Sequence, residues 1–423
     1  MGGMTATEKI LAQASGRSKV VPGEIITADI DAAMLIHVMS DITFPAFEQI
    51  ATRVWDPSSV VCVVEHCIPA HNVWAAETQR RQREFAKKHG LVLYDVGRSG
   101  ICHQVMMEKG HALPGTVVVG TDSDSCTYGA LGSFATGIGA TEMAAVLAEG
   151  QLWFRVPPSV QVILRGPLSP GVVGKDAILH VIGQLGLDGA LYEAVEFSGS
   201  AVEAMSLDSR MTLTNMVEML GAKNGIIEPD EKTISYLQER TDRPLDIVRS
   251  DSDAHWERII EFDVSKLDPQ IAAPHSPTNV MSVREAAGTR IHQAFIGGCT
   301  NGRMEDLRTA AEIFRGRKVH PDARLIVIPA SQQIYAQAMD EGILRVLLKA
   351  GGTICTPSCG PCVGIDKGVL ASGEVCISST NKNYRGRMGH PDSLIYLGSA
   401  GTVAASAVNG QITDPREFLQ GGA

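Results

Sequence analysis

The chain has 423 residues, 44% of them hydrophobic and 20% charged, with a formal net charge of −10. That hydrophobic share builds a large core, the length predicts about two to three domains, and the acidic balance argues against a protein that coats nucleic acid. Nine cysteines, an odd number at irregular spacing, exclude a disulfide framework; with no charged-then-apolar leader before Val20 and no apolar run long enough to span a bilayer, a cytoplasmic location is expected.

Taken in chain order, a β-branched run at residues 60–64 predicts a buried strand. Residues 72–88 are polar and Ala/Gln/Arg-rich, which predicts a helix stopped by Gly90. A second strand is expected at 116–119, then a helix at 141–149 with Thr141 as its N-cap. Further strands are expected at 160–164, 291–296, 324–328 and 375–378, and a helix at 304–314. The Pro-containing stretch 268–278 reads as a linker. This alternation predicts an α/β protein with mostly parallel strands. With 43 glycines and only 5% aromatics it suits an enzyme whose backbone approaches a ligand closely. No internal repeat or low-complexity segment is evident.

Three cysteines in turn-prone frames carry the chemistry: Cys299 in GGCTNGR, and Cys359 and Cys362 in PSCGPCVG. Three thiolates, one distant and two in a CxxC, suit a cubane iron–sulfur cluster with one iron lacking a protein ligand, and such an iron is a Lewis acid. Two rivals stay open. A thioredoxin-like redox pair shares the CxxC but belongs early in a small domain, and a zinc site needs a fourth ligand, for which Cys355 is only four residues from Cys359. Cys62, Cys376 and Cys126 read as buried core hydrophobes.

Acid–base candidates follow predicted strands. Glu65-His66 comes after 60–64, His103 lies in GICHQ, and Asp122-Ser123 opens the segment after 116–119. A carboxylate beside a histidine fixes its tautomer and tunes its pKa. The segment 378–389 follows the last strand and is rich in cations and amides, and Arg387 between glycines can offer a guanidinium fork to a carboxylate.

These motifs place the resemblance. GICHQV (100–105), TDSxxCTYGA (121–130), KD (175–176), NM…GAK (215–223), CTNGR (299–303), CGPC (359–362) and GRMG (386–389) run nearly end to end. On them the chain resembles the large subunits of 3-isopropylmalate dehydratase and homoaconitase, in the aconitase superfamily. The resemblance implies an aconitase-like three-domain α/β/α arrangement around an iron–sulfur cluster, with domains at 1–165, 166–285 and 286–423. It implies a [4Fe–4S] cluster on Cys299, Cys359 and Cys362, with Asn215 and Asn381 as amides beside it. Glu65-His66 matches one acid–histidine pair, and His103 with Asp122 another. Ser123 and Arg387 match substrate-carboxylate contacts, and Lys382 stands where the family carries a substrate-binding Arg. The chemistry implied is dehydration of a 2-hydroxy di- or tricarboxylic acid, with or without rehydration. The family's catalytic serine lies on a swivelling domain that this sequence lacks, so a small partner subunit carrying it is expected.

Asp124 stands where the family has His, and Met219 where it has Glu, with Glu218 one place earlier. One helical step turns a side chain by about 100°, so Glu218 is not expected to replace that Glu directly. The family's His and Glu form a pair, and losing both avoids an uncompensated buried charge. Asp124 and Met219 are therefore expected to set the substrate range.

Overall fold

The computed structural model describes residues 2–419. Two compact units form: unit 1 from Met1–Glu65, Pro69–Arg165 and Leu187–Phe262, and unit 2 from His66–Ile68, Gly166–Gly186 and Asp263–Ala423.

Unit 1 is built on a five-stranded parallel sheet ordered Val92–Tyr94, Val60–Val63, Ala32–Ile36, Val117–Gly120, Phe134–Gly137. Ala32–Ile36, Val60–Val63 and Val117–Gly120 are buried at every position. Parallel strands covered on both faces require such continuous apolar runs. Numbered along the chain, the strand order is 3-2-1-4-5. The winding reverses between Ala32–Ile36 and Val117–Gly120, where ligands gather at the carboxyl ends of open α/β sheets. Helix Val73–His89 is capped by Asn72, whose Oδ1 accepts from Ala75 N at 2.8 Å, and Gly90 closes it in the left-handed conformation at φ 69°. Phe44 and Phe85 stack at 3.8 Å within the core below. A second sheet in this unit runs Asn224–Ile227, Ala194–Ser198, Ser159–Arg165, Arg258–Asp263, its first three strands parallel.

Unit 2 carries a seven-stranded sheet: Val280–Ser282, Gln270–Ala272, Leu394–Leu397, Val375–Ser378, Gln293–Ile296, Arg324–Val327, Thr353–Ile354. The last five are parallel and wind in the same 3-2-1-4-5 order as the sheet of unit 1. Their reversal lies between Gln293–Ile296 and Val375–Ser378.

The expected strands all form, with ends moved by one or two residues. Two local expectations are corrected. The helix expected at 141–149 starts at Ala140 with Gly139 as N-cap in an extended conformation, so Thr141 already lies inside the first turn and its hydroxyl donates to Glu142 Oε2 at 3.2 Å. Within the expected linker, Gln270–Ala272 forms a strand, paired antiparallel to Val280–Ser282, with the flanking prolines outside the ladder. Among the described residues no helix is long and apolar enough to cross a membrane.

Candidate functional site

In unit 2 the loop after Gln293–Ile296 carries Cys299, at the switch point of the seven-stranded sheet. Gly298 takes φ 86°, and a Cβ there would meet Thr380 Cγ2 at 2.9 Å, so the loop can pass the neighbouring one only as glycine. Ser379 clamps the turn: its Oγ accepts from Gly297 N at 3.0 Å, and its carbonyl accepts from Thr300 Oγ1 at 2.6 Å. Arg303, 1% exposed, donates to the carbonyls of Cys299 at 2.8 Å and Thr300 at 2.5 Å.

Lys175 is fully buried, and its ammonium donates to Thr300 Oγ1 (3.3 Å), Asn301 Oδ1 (3.2 Å), Ser379 O (2.8 Å) and Thr380 O (2.7 Å). Burial drops its pKa to about 7, while the charges of Cys299, Asp306, Asp176 and Cys362 pull the other way. One cation thus lies within electrostatic reach of two of the three cysteines. Sequence reading quoted Lys175 only as part of a motif; its partners stand 125 to 205 residues away, which no local pattern encodes.

Cys359 caps the short 3₁₀ turn Gly360–Val363, which contains Cys362 and in which Pro361 presets the backbone; Cys362 N donates to Cys359 O at 3.3 Å. A ring nitrogen of His66 and Cys359 Sγ lie within 4.8 Å of one another. Asn381 Nδ2 stands 3.6 Å from Cys299 Sγ, and Arg387 Nη2 stands 4.0 Å from Cys362 Sγ. Lys382 is buried in the same loop. The nine cysteines form no disulfide. Cys62 and Cys376 are core residues, with burial pushing each thiol up to about 12, and Cys355 is half-buried with its thiol raised by burial.

Unit 1 carries the remaining candidates. Asp122 and Ser123 follow Val117–Gly120 at the reversal of the five-stranded sheet. His103 is 2% exposed; its Nε2 lies 3.1 Å from Asp122 Oδ1 and its Nδ1 3.1 Å from the Tyr128 hydroxyl. Burial alone would lower its pKa, but the hydrogen bond and charge of Asp122, with Asp124 and Glu65, lift it above the ordinary value. Asp122 Oδ1 also accepts from Asp124 N at 2.9 Å, and ligand atoms of His103, Asp122 and Asp124 all lie within 4.8 Å. Glu65 Oε2 accepts from Cys102 N at 2.6 Å, beside the next residue, His103. Asn215 is fully buried; its Nδ2 donates to Thr127 Oγ1 at 2.8 Å, and its carbonyl accepts from Cys126 Sγ at 3.4 Å.

Met219 is buried at 2% exposure. Glu218, one residue earlier in the 3₁₀ turn Val217–Leu220, lines a cavity of about 340 Å³ with Ser123 and Lys223. The residue that sequence reasoning set aside therefore shares a wall with a predicted substrate contact, and Lys223 had drawn no notice beyond its motif.

The model of the aconitase family (aconitate hydratase) matches residues 8–290 and 284–410. The 3-isopropylmalate dehydratase large subunit 1 of Methanopyrus kandleri is 51% identical over 99% of this chain and 100% of its own. The 3-isopropylmalate dehydratase large subunit of Aquifex aeolicus is 48% identical over 99% and 98%. A probable methanogen homoaconitase large subunit of Methanothermobacter thermautotrophicus is likewise 48% identical, over 98% of each. In fold, the crystal structure of Thermococcus kodakaraensis aconitase X (holo-form) aligns with TM-score 0.52 at 14% identity, covering 95% of both chains.

Proposed function

The chain belongs to the aconitase family, and from that footing we propose that it is the large subunit of an iron–sulfur hydro-lyase that dehydrates 3-isopropylmalate or a related substituted malate, with the homoaconitase substrate as the alternative. The observation that carries this is the setting of Cys299, Cys359 and Cys362 in one unit, with Lys175 inside electrostatic reach of two of them. The donor set fits a [4Fe–4S] cluster: three thiols, with an amide N–H of Asn381, the Arg387 guanidinium and the Lys175 ammonium offsetting the charge that thiolates carry. When bound, such a cluster offers one iron without a protein ligand as a Lewis acid for a substrate hydroxyl.

The chain's own residues do the rest. Arg303 and Lys175 keep the Cys299 loop in place through backbone carbonyls and side-chain oxygens. Arg387, Lys382 and Ser123 bind substrate carboxylates. The His103–Asp122 pair holds a proton ready for the departing hydroxyl oxygen, which leaves as water, and Glu65-His66 is the second acid–histidine pair. The matching C–H proton is taken by a base on a small swivelling-domain subunit, the partner this chain needs. The division at 1–165, 166–285 and 286–423 and a cytoplasmic location belong to the same proposal.

Anaerobic purification tests it. We expect a brown protein with about four irons per chain, and alkene absorbance from a panel of 2- and 3-substituted malates once the small subunit is added. A Cys299→Ala protein with full iron and full activity would overturn the reading.

A further inference from the structure

Lys223 follows Gly221, which ends the turn Val217–Leu220 in the left-handed conformation, and its backbone N–H donates to Glu193 O at 2.8 Å. Lys223 and Ser123 both line the cavity of about 340 Å³. The ammonium lies 5.8 Å from the centre of the Tyr192 ring and 6.0 Å from that of Phe154. These aromatic faces attract a cation only weakly at such distances. Among the described residues no carboxylate approaches it within salt-bridge distance; Glu142, at the start of helix Ala140–Glu149, acts on it from further off. Burial makes the charge harder to carry. An ammonium partly withdrawn from water without a close counter-charge is costly, and a bound anion removes that cost.

The other walls are Thr136, Gly137, Ile138, Gly139 and Ala222, small or apolar apart from one hydroxyl, with Glu218 close to Lys223 in sequence. At about 340 Å³ the space sits at the small end of ligand pockets and suits one arm of a small acid. The Glu218 carboxylate opposes a second anion in the same space.

We propose that Lys223 is a substrate-binding residue, its ammonium and the Ser123 hydroxyl together holding one carboxylate of the hydroxy acid in this cavity. The identity of the anion rests on the hydro-lyase reading above, since that reading makes Ser123 a carboxylate contact. Lys223, not Met219, is then the residue of this segment that the substrate touches.

The test uses the full chain with its small subunit. For Lys223→Met we expect KM to rise about tenfold or more with kcat within about threefold, the pattern of a lost binding contact, and Lys223→Arg to recover most of the loss. In parallel, calorimetry on the full chain should show tricarballylate binding weakened about tenfold by Lys223→Met. Lys223→Gln, which keeps a donor but drops the charge, gives the same readouts where Lys223→Met does not fold. Unchanged KM and unchanged tricarballylate affinity in these variants would overturn the proposal. A wild-type complex inactive on every malate would defeat the hydro-lyase reading instead, and the calorimetry would still decide whether Lys223 anchors a carboxylate.

Discussion

At the scale of single residues, His103 shows how a buried imidazole is kept chargeable. Withdrawal from water favours the neutral ring, and Asp122 at 3.1 Å reverses that preference. A histidine whose folded pKa is raised contributes stability that is fully present below its unfolded value and fades as pH rises through the folded one. The unfolded value lies near 6.5. Asp122→Asn should therefore lower the melting temperature most between about pH 5 and 6.5 and progressively less at alkaline pH. Melting curves of the two proteins across that range check it; a deficit that grows with pH would contradict the assignment. Residue types in marked frames were legible in the sequence: the three cysteines, His103 and Asp122 announce themselves by chemistry and by neighbouring glycines. Lys175 was not, because its ammonium declares its role only through groups brought to it from elsewhere in the chain.

At the scale of elements, the short turn between Cys359 and Cys362 depends on Gly360. Its φ is 57°, and a Cβ there would press on Ile328 Cδ1 at 2.5 Å. Gly360→Ala should cost about 1–2 kcal/mol from the left-handed backbone alone, with more from displacing Ile328. Urea unfolding measures the cost, and a reduced iron content in the same protein would tie it to the cysteines. Helix Val73–His89 was readable to within a residue because Asn72 and Gly90 punctuate it. Helix Ala140–Glu149 was misread at its start because Gly139 caps it with backbone conformation instead of a side chain. Strand Gln270–Ala272 was hidden because three residues between prolines show no period, and its partner Leu394–Leu397 lies more than a hundred residues on.

Across the whole molecule, the α/β class and the parallel strands followed from the alternation of short apolar runs and helical segments. The shared 3-2-1-4-5 winding did not, because strand order is written in pairings between distant segments. Polar burial also appears only at this scale. Glu196, inside the four-stranded sheet of unit 1, is 4% exposed, and burial raises its carboxyl to about 8, against a hydrogen bond from Ser250 Oγ at 2.8 Å. A carboxyl that keeps its proton in the folded state but loses it near pH 4 when unfolded makes stability fall as pH rises between about 4 and 8. Glu196→Gln should remove that slope, melting with the wild type near pH 4 and above it at pH 8. A variant that melts lower at pH 8 would show that the carboxyl contributes more than its burial costs.

The clamp on the Cys299 loop has a bearing on the order of events during synthesis. Ser379, which holds Thr300, is encoded 79 residues later. At ribosomal speeds of about 5–20 residues per second, Cys299 emerges roughly 4–16 s before the residue that fixes its turn. Cys359 and Cys362 also come late in that interval. A thiol exposed for seconds without its housing is open to oxidation, so protection of Cys299 from oxygen belongs to that interval, before the last strands have left the ribosome.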